Sequence, residues 1–421
     1  MVASENHLSA GEPPRAAAAP KRYARGTHRT VSPTETLERV RPHFARLGIT
    51  RVADVTGLDR IGIPVAMAHR PNSRSLSVSP GKGLDLQAAK VSAVMEAVEG
   101  WHAENAKLPL VLGSVAEIAR QHHVADLSGL PRQSARPLDR HKQLLWTEGR
   151  DLLSGDGVVV PYELVHMNFT LPLPPSSGAW LQSSNGLASG NHRLEALVHA
   201  LCEVIERDAM SLFHVRGAAS RQGLRVALDT VDDPDSRSLL RKLDDAGVEV
   251  GVWDVTSDIG VPVFACEIVD RDPGDGRPFL PGTGAGAHPS RSIALSRALS
   301  EAAQTRLTTV AGARDDLRIA QYVRSLDRES WRAALSRVAG GGKRCFASAP
   351  DAAHESFDDD VLWLLCRLAS VGIEQVVAVD LAHEDVDLSV VRVIVPGLEG
   401  PHDSAGALPG KRRRALAEVT A

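Results

Sequence analysis

The sequence predicts an α+β fold of mixed or antiparallel sheets packed with helices into one composite domain. Short apolar runs bounded by glycine and proline follow one another without a helical crossover, which antiparallel pairing allows and parallel pairing does not. Long stretches free of helix breakers stand between groups of such runs. The two patterns do not alternate one for one, so a doubly wound parallel sheet is disfavoured. At 421 residues, 43% of them hydrophobic, the chain has ample material for a buried core.

Residues 1–30 are rich in Ala, Pro and Arg and lack the contiguous apolar core of a secretory signal, which suits a disordered tail. Within a helical segment at 31–54, "VSPTETLERVRPHFARLGI" sets a Ser or Thr cap ahead of Glu and an apolar spacing of three to four, a helix ending at Gly48. "RVADVTGL" and "IPVAMAHR" read as paired strands, and "SLSVSPGKG" as a strand entering a glycine loop. That loop opens a long helix through "SAVMEAVEGW". "SVAEIARQ" is a short helix and "RQSARPLDRHKQ" a polar connector. "LLWTEGRDLLSGDGVVVPYELV" reads as a hairpin turning at residues 154–157, and the Pro-rich loop "TLPLPPSSG" follows. "SSNGLASG" and "GTGAGAHPS" are two further glycine-rich loops, each ahead of a long helix. "VEVGVWDVT", "VPVFACEIVD", "EQVVAVDLA" and "VVRVIVPGL" are strands, and "ESFDDDVLWLLCRLASVGI" is a helix. The closing "GKRRRALAEVTA" belongs to a flexible tail at 401–421 and is expected to fray.

The 48 basic and 52 acidic side chains leave a net charge of -4, so no global positive field favours nucleic acid or an anionic membrane. No stretch approaches the roughly 18 apolar residues of a membrane span. Cys202, Cys266, Cys345 and Cys366 form no C-x-x-C pair and read as reduced thiols, which suits a cytoplasmic protein.

On a helix, positions i, i+4 and i+7 fall within an arc of about 60°. Ser92, Glu96 and Glu99 form such a stripe; Glu195, His199, Glu203 and Glu206 form a second; Arg297, Glu301 and Gln304 form a third. Each lies beside apolar positions, so the stripes border a core. Buried carboxylates must be paired or bound to a cation, and hard oxygen ligands of this kind suit Mg2+ bridging carboxylates and nucleotide phosphates. The glycine loops offer backbone N–H groups to phosphates, and Lys82 a mobile positive charge. Neither the P-loop nor the dinucleotide fingerprint is present, because "PGKGLD" and "GTGAGA" lack the required spacing. For any one pair such as Glu96 and Glu99 a solvated face is the commoner arrangement, and Arg207 can pair with Glu203 across a turn. Three recurrences behind three glycine segments outweigh that reading. His199 and His288 read as structural groups and Cys202 as core.

At these helices the sequence resembles the YcaO family, ATP-dependent enzymes that activate backbone amides in peptides. The resemblance covers residues 55–400 and rests on "GKG" with "SAVMEAVE", "SNGLASG" with "EALVHALCEVIERDA", and "GTGAGAHPSRSIALSRALSEAAQTR", in the family's order. It implies a catalytic domain that uses ATP and Mg2+. Glu96, Glu99, Glu203 and Glu206 would hold the metal. Lys82, Ser92, Asn185, Glu195, Arg297 and Glu301 would contact the nucleotide, with Arg207, Arg297 and Gln304 serving catalysis. Gly100 stands where many relatives carry Arg, which removes one charge contact.

The family's nucleophile decides the product: a Cys, Ser or Thr side chain gives an azoline, an amine an amidine ring, sulfide a thioamide. Azoline-forming relatives end in Pro-x-Pro-x-Pro, and this chain ends "RALAEVTA". The opening "RGTHRTVSPTETLERVRPHFARLGITRVADVTGLDRIGIP" is similar to the thioamide-forming branch, which works with a TfuA partner. The expectation is thioamide formation in a ribosomally made peptide or protein by a homodimer. The alternatives are azoline or macrolactamidine formation by the same fold, and a non-catalytic scaffold that binds nucleotide and precursor peptide.

Overall fold

The computed structural model describes residues 19–133, 138–173, 178–274, 278–317, 319–352, 354–401 and 408–420. The polar connector at 132–143 and the Pro-rich loop at 170–178 fall partly outside these, as does the tail before Ala19.

Helix α1 (Pro33–Val40) starts on a capping box in which Ser32 and Glu35 satisfy each other's backbone N–H groups. Pro42 interrupts it with a 3-10 turn before α2 (Phe44–Leu47), which ends on left-handed Gly48. Strands β1 (Arg51–Asp54), β2 (Val65–His69) and β3 (Val78–Lys82) form a sheet in that order, and α3 (Leu86–Glu104) packs back on it. β4 (Val111–Ser114), α4 (Val115–Ile118), the hairpin of β5 (Gln143–Asp151) with β6 (Gly157–Pro161), and β7 (Leu187–Gly190) come next, followed by α5 (Arg193–Val215). After α6 (Ala218–Gly223) and α7 (Pro234–Asp245), strands β8 (Val248–Asp254), β9 (Val263–Asp270) and β10 (Gly282–Ala287) make a second three-stranded sheet, covered by α8 (Arg291–Ala311). α9 (Ile319–Arg324), α10 (Arg328–Val338) and α11 (Phe357–Ala369) precede β11 (Val377–Asp380) and β12 (Ser389–Ile394). These two join the largest sheet in the order β4-β5-β11-β12-β7, with β6 beside β5. The chain closes on α12 (Lys411–Thr420). Pairing between the named strands is antiparallel throughout, as expected for α+β.

Three units repeat: β3 into α3, β7 into α5, β10 into α8. The glycine segments ahead of these helices, expected as phosphate-cradling loops, are largely strand. Their glycines are there for packing. A Cβ on Gly282, Gly284 or Gly286 would sit 2.1, 2.3 or 2.2 Å from the carbonyl oxygen of Ala302, Ala298 or Ala294. Two residues of strand and four of helix advance by similar lengths, about 6–7 Å, so alternate glycines meet successive alanines. Gly81 meets Ala89 and Ala93 of α3 in the same way. The helix N-termini are also taken: Asp85 caps α3, His192 caps α5, and Asp351 accepts from Arg291 N–H at the start of α8.

Two segments expected to be loose are tied down. Within 1–30, residues 19–30 form a strap: Ala19 N–H donates to Asp358, Lys21 pairs with buried Asp360 at 2.6 Å, and Tyr23 bridges Arg29. At the other end, the expected fraying of 411–420 gives way to α12, because Arg412 clamps Asp208 of α5 (3.1 Å) and Asp258 (2.5 Å). Asp208 is fully buried, and it needs that cation. Among the described residues no helix is long and apolar enough to cross a membrane.

Candidate active site

A cavity of about 570 Å3 lies where α3, α5 and α8 face one another. It is lined by eleven of the twelve sequence candidates: Lys82 from β3; Ser92, Glu96 and Glu99 from α3; Glu195, Glu203, Glu206 and Arg207 from α5; Arg297, Glu301 and Gln304 from α8. Asn185 does not line it. The helical stripes converge because each helix lies on its own sheet through small residues, leaving the opposite edge free to meet the other two.

The carboxylates differ in what holds them. Ser189 donates to Glu99 Oε1 through both N–H (2.8 Å) and Oγ (2.7 Å), and Ala287 N–H donates to Glu206 Oε2 at 3.0 Å. Lys82 Nζ pairs with Glu301 Oε2 at 2.7 Å, and Arg207 lies 3.9 Å from Glu203, the across-turn pair anticipated from spacing. Burial pushes Glu99 up to about 8 despite the Ser189 bonds. Burial and then Glu301 push Glu206 up to about 7. Glu96 also rises to about 7 through desolvation, yet its side chain is exposed, so Glu99 and Glu206 govern the electrostatics. For Glu301 burial is the largest influence and acts upward, but Lys82, Arg207 and Arg297 together outweigh it and the net shift is down. Buried carboxylates held above their ordinary range lack countercharge.

Among the described residues no three His, Cys, Asp or Glu side chains are gathered as a ready-made metal cage. The four glutamates predicted as ligands share one cavity without forming a cluster of three, and Glu99, Glu203 and Glu206 each meet a different partner. Mg2+ asks for little more: it keeps waters and takes one or two carboxylates plus phosphate oxygens. The residues present fit Mg2+ and a triphosphate on a second count. Arg297 Nε, Gln304 Oε1 and His199 Nδ1 are buried without a hydrogen-bond partner, as is Asn185 Oδ1 beside the site. His199 is held neutral by burial and by Arg297, whose Nη2 lies 3.3 Å from its Nε2.

Sequence reasoning missed the strap. Arg29 lines the cavity, 3.5 Å from Glu195, and Thr30 donates to Glu195 Oε2 through N–H and Oγ1, both at 2.9 Å. Glu195 thus anchors the strap as well as lining the cavity. Arg25, Thr27 and Thr36 also reach the cavity, as does Arg314 after α8. The only available signal was a capping box directly behind "RGTHRT", which marks where order begins but not what precedes it.

Residues 80–399 match the family model described as YcaO cyclodehydratase, ATP- and Mg2+-binding. The chain is 38% identical over 376 residues to an uncharacterized protein in the tfuA 3′ region of Rhizobium leguminosarum bv. trifolii, covering 88% of both. Among solved structures, a heterocyclase in complex with substrate and cofactor superposes with a TM-score of 0.74 at 19% identity, over 92% of this chain and 55% of that one. The structure of YcaO from Methanopyrus kandleri bound with AMPPCP and Mg2+ gives 0.66 at 23% identity, over 93% and 100%. These likenesses establish the fold, and the family match adds the class: an ATP- and Mg2+-dependent, peptide-modifying enzyme. The chain belongs to the YcaO family.

Proposed function

We propose that this enzyme activates a peptide backbone amide by O-phosphorylation and converts it to a thioamide. The observation that carries the chemistry is the shared cavity of under-compensated carboxylates, Lys82, the arginines Arg29, Arg207 and Arg297 among others, and unpartnered polar atoms. The relative in the tfuA 3′ region supports the product and a TfuA partner.

When bound, Mg-ATP supplies the γ-phosphoryl group that turns the amide oxygen into a leaving group. Glu96, Glu99, Glu203 and Glu206 offer the hard oxygens for the metal. Lys82, Arg29, Arg207 and Arg297 place positive charge where phosphate charge develops, which in a confined cavity is worth more than in water. Gln304 and Asn185 present polar groups without protein partners, suited to nucleotide or amide contacts. Sulfide adds to the amide carbon, the oxygen departs as inorganic phosphate, and ADP remains; the hydrosulfide proton leaves with the phosphate.

The test incubates full-length enzyme with precursor peptide, ATP, Mg2+, sulfide and the TfuA protein. The expected product carries the mass gain of sulfur replacing oxygen. Loss of one water instead would assign the azoline product, which the family description cyclodehydratase favours. Nucleotide binding without phosphate release, unchanged in Glu206→Ala, would leave only a scaffold.

A further inference from the structure

A second cavity of about 760 Å3 lies directly behind the first. Glu206, Arg207, Glu301 and Thr305 line both, so a single wall of the acidic site separates them. The volume falls within the range of ligand sites. Its apolar part is made by Met210 and Phe213 from the C-terminal half of α5 and by Trp253 of β8.

One side of this cavity is β10. That strand pairs with β9 along one edge, and among the described residues no strand covers the other. Ala287 N–H points off the free edge to Glu206, while His288 N–H turns inward to Pro262. Antiparallel strands alternate, so the N–H and C=O groups of Ala285 and Thr283 face outward like that of Ala287. Both residues line the second cavity. Glu206 therefore occupies the first rung of a missing strand, and the next rung lies about 7 Å further on.

Arg216 and Arg221 line this cavity, as does Glu267, whose charge Arg337 meets at 2.6 Å. Arg221 lies over the Phe213 ring at 5.1 Å and donates to the carbonyls of Arg216 and His214. The Arg216 guanidinium donates to Ser220. Among the described residues neither guanidinium meets a carboxylate.

We infer that this second cavity binds the substrate peptide as an extended strand along the free edge of β10, with an apolar or aromatic side chain against Met210, Phe213 and Trp253 and an acidic one beside Arg216 and Arg221. The inference rests on the function proposed above and supplies its missing half. Main-chain pairing gives affinity without regard to sequence, while the apolar floor and the two arginines select. A peptide in this register brings one backbone amide to Glu206 and Arg207, two of the four residues that face both cavities. The selected substrate class is an extended segment with a bulky apolar residue and an acidic residue two positions apart, since such side chains project from one face.

Fluorescence anisotropy on the full-length protein tests this with two pools of labelled decapeptides, randomised except at two positions. One pool carries fixed Phe and Asp two positions apart; the other carries Ser and Lys there. The wild type should bind the Phe/Asp pool about tenfold more tightly. Thr283→Pro deletes an outward N–H on an edge where proline is tolerated and should weaken that binding about tenfold, while Thr283→Val keeps the N–H and retains it. Arg216→Glu should reverse the preference between the pools, and it decides the matter if the proline variant fails to fold. Equal binding of both pools, or wild-type affinity in folded Thr283→Pro and in Arg216→Glu, overturns the inference. A thermal shift with Mg2+ and a non-hydrolysable ATP analogue, run on the same samples, should appear in every variant. Its absence from the wild type would overturn the proposed function, and the peptide measurements would still decide the groove.

Discussion

Glu99 and Glu206 each accept hydrogen bonds, yet burial holds both above the ordinary carboxylate range, at about 8 and about 7. Two Ser189 donors and one backbone N–H do not replace the water that was lost, because a bare buried carboxylate costs several kcal/mol. The consequence for stability has a definite sign. With folded values raised above the unfolded 4.5, the native state holds more protons, and stability falls as pH rises from about 5 to about 8. Histidines with depressed values, such as His28 and His166 at about 4, oppose this below their ordinary value of 6.5. Between about pH 7 and 8 the carboxylates dominate. Thermal denaturation of metal-free protein should show a falling midpoint across that interval, and Glu99→Gln should flatten it; a rising midpoint would contradict the assignment.

The strand–helix unit is the element that makes the site, and its decisive residues are glycines rather than glutamates. Gly284 admits the Ala298 carbonyl and the Ala302 N–H of α8, at 2.3 and 2.4 Å from where a Cβ would stand. Backbone on both sides leaves nothing flexible to yield. Gly284→Val should therefore cost about 3 kcal/mol or more and lower the midpoint of thermal denaturation by several degrees. Gly223, where an added Cβ would meet no atom within 4 Å, is the control: Gly223→Ala should be neutral or stabilising by up to about 1 kcal/mol. The same packing aims the stripes. Moving α8 off β10 would move Arg297, Glu301 and Gln304 together.

Across the whole molecule, much of this architecture was legible in the sequence, because it is written in local periodicity. The hairpin of β5 and β6, the run of β8 and β9 without a crossover, and the three long helices follow from spacing alone. What local pattern could not show is long-range. "GTGAGA" looks like a loop until the alanines of α8 are placed against it, and the strap carrying Arg29 gains its order only from Glu195, Asp358 and Asp360, far away in the chain. Arg412 fixes α12 for the same reason: its partner Asp208 belongs to a helix some two hundred residues earlier. The convergence of acidic stripes was inferred from their repetition, and the cavity brings eleven candidates together while leaving Asn185 at its margin.

The central claim is that glutamates from α3 and α5 and the cations facing them hold a divalent metal and a triphosphate in one cavity. Calorimetric titration of a non-hydrolysable ATP analogue, with and without Mg2+, into wild-type protein and the Glu203→Gln/Glu206→Gln double variant tests it most directly. Mg2+ should tighten wild-type binding at least about tenfold, roughly 1.4 kcal/mol, and should do little for the double variant, which retains the metal-free interaction. Affinity indifferent to Mg2+ in the wild type, or an undiminished Mg2+ effect in the double variant, would contradict the account.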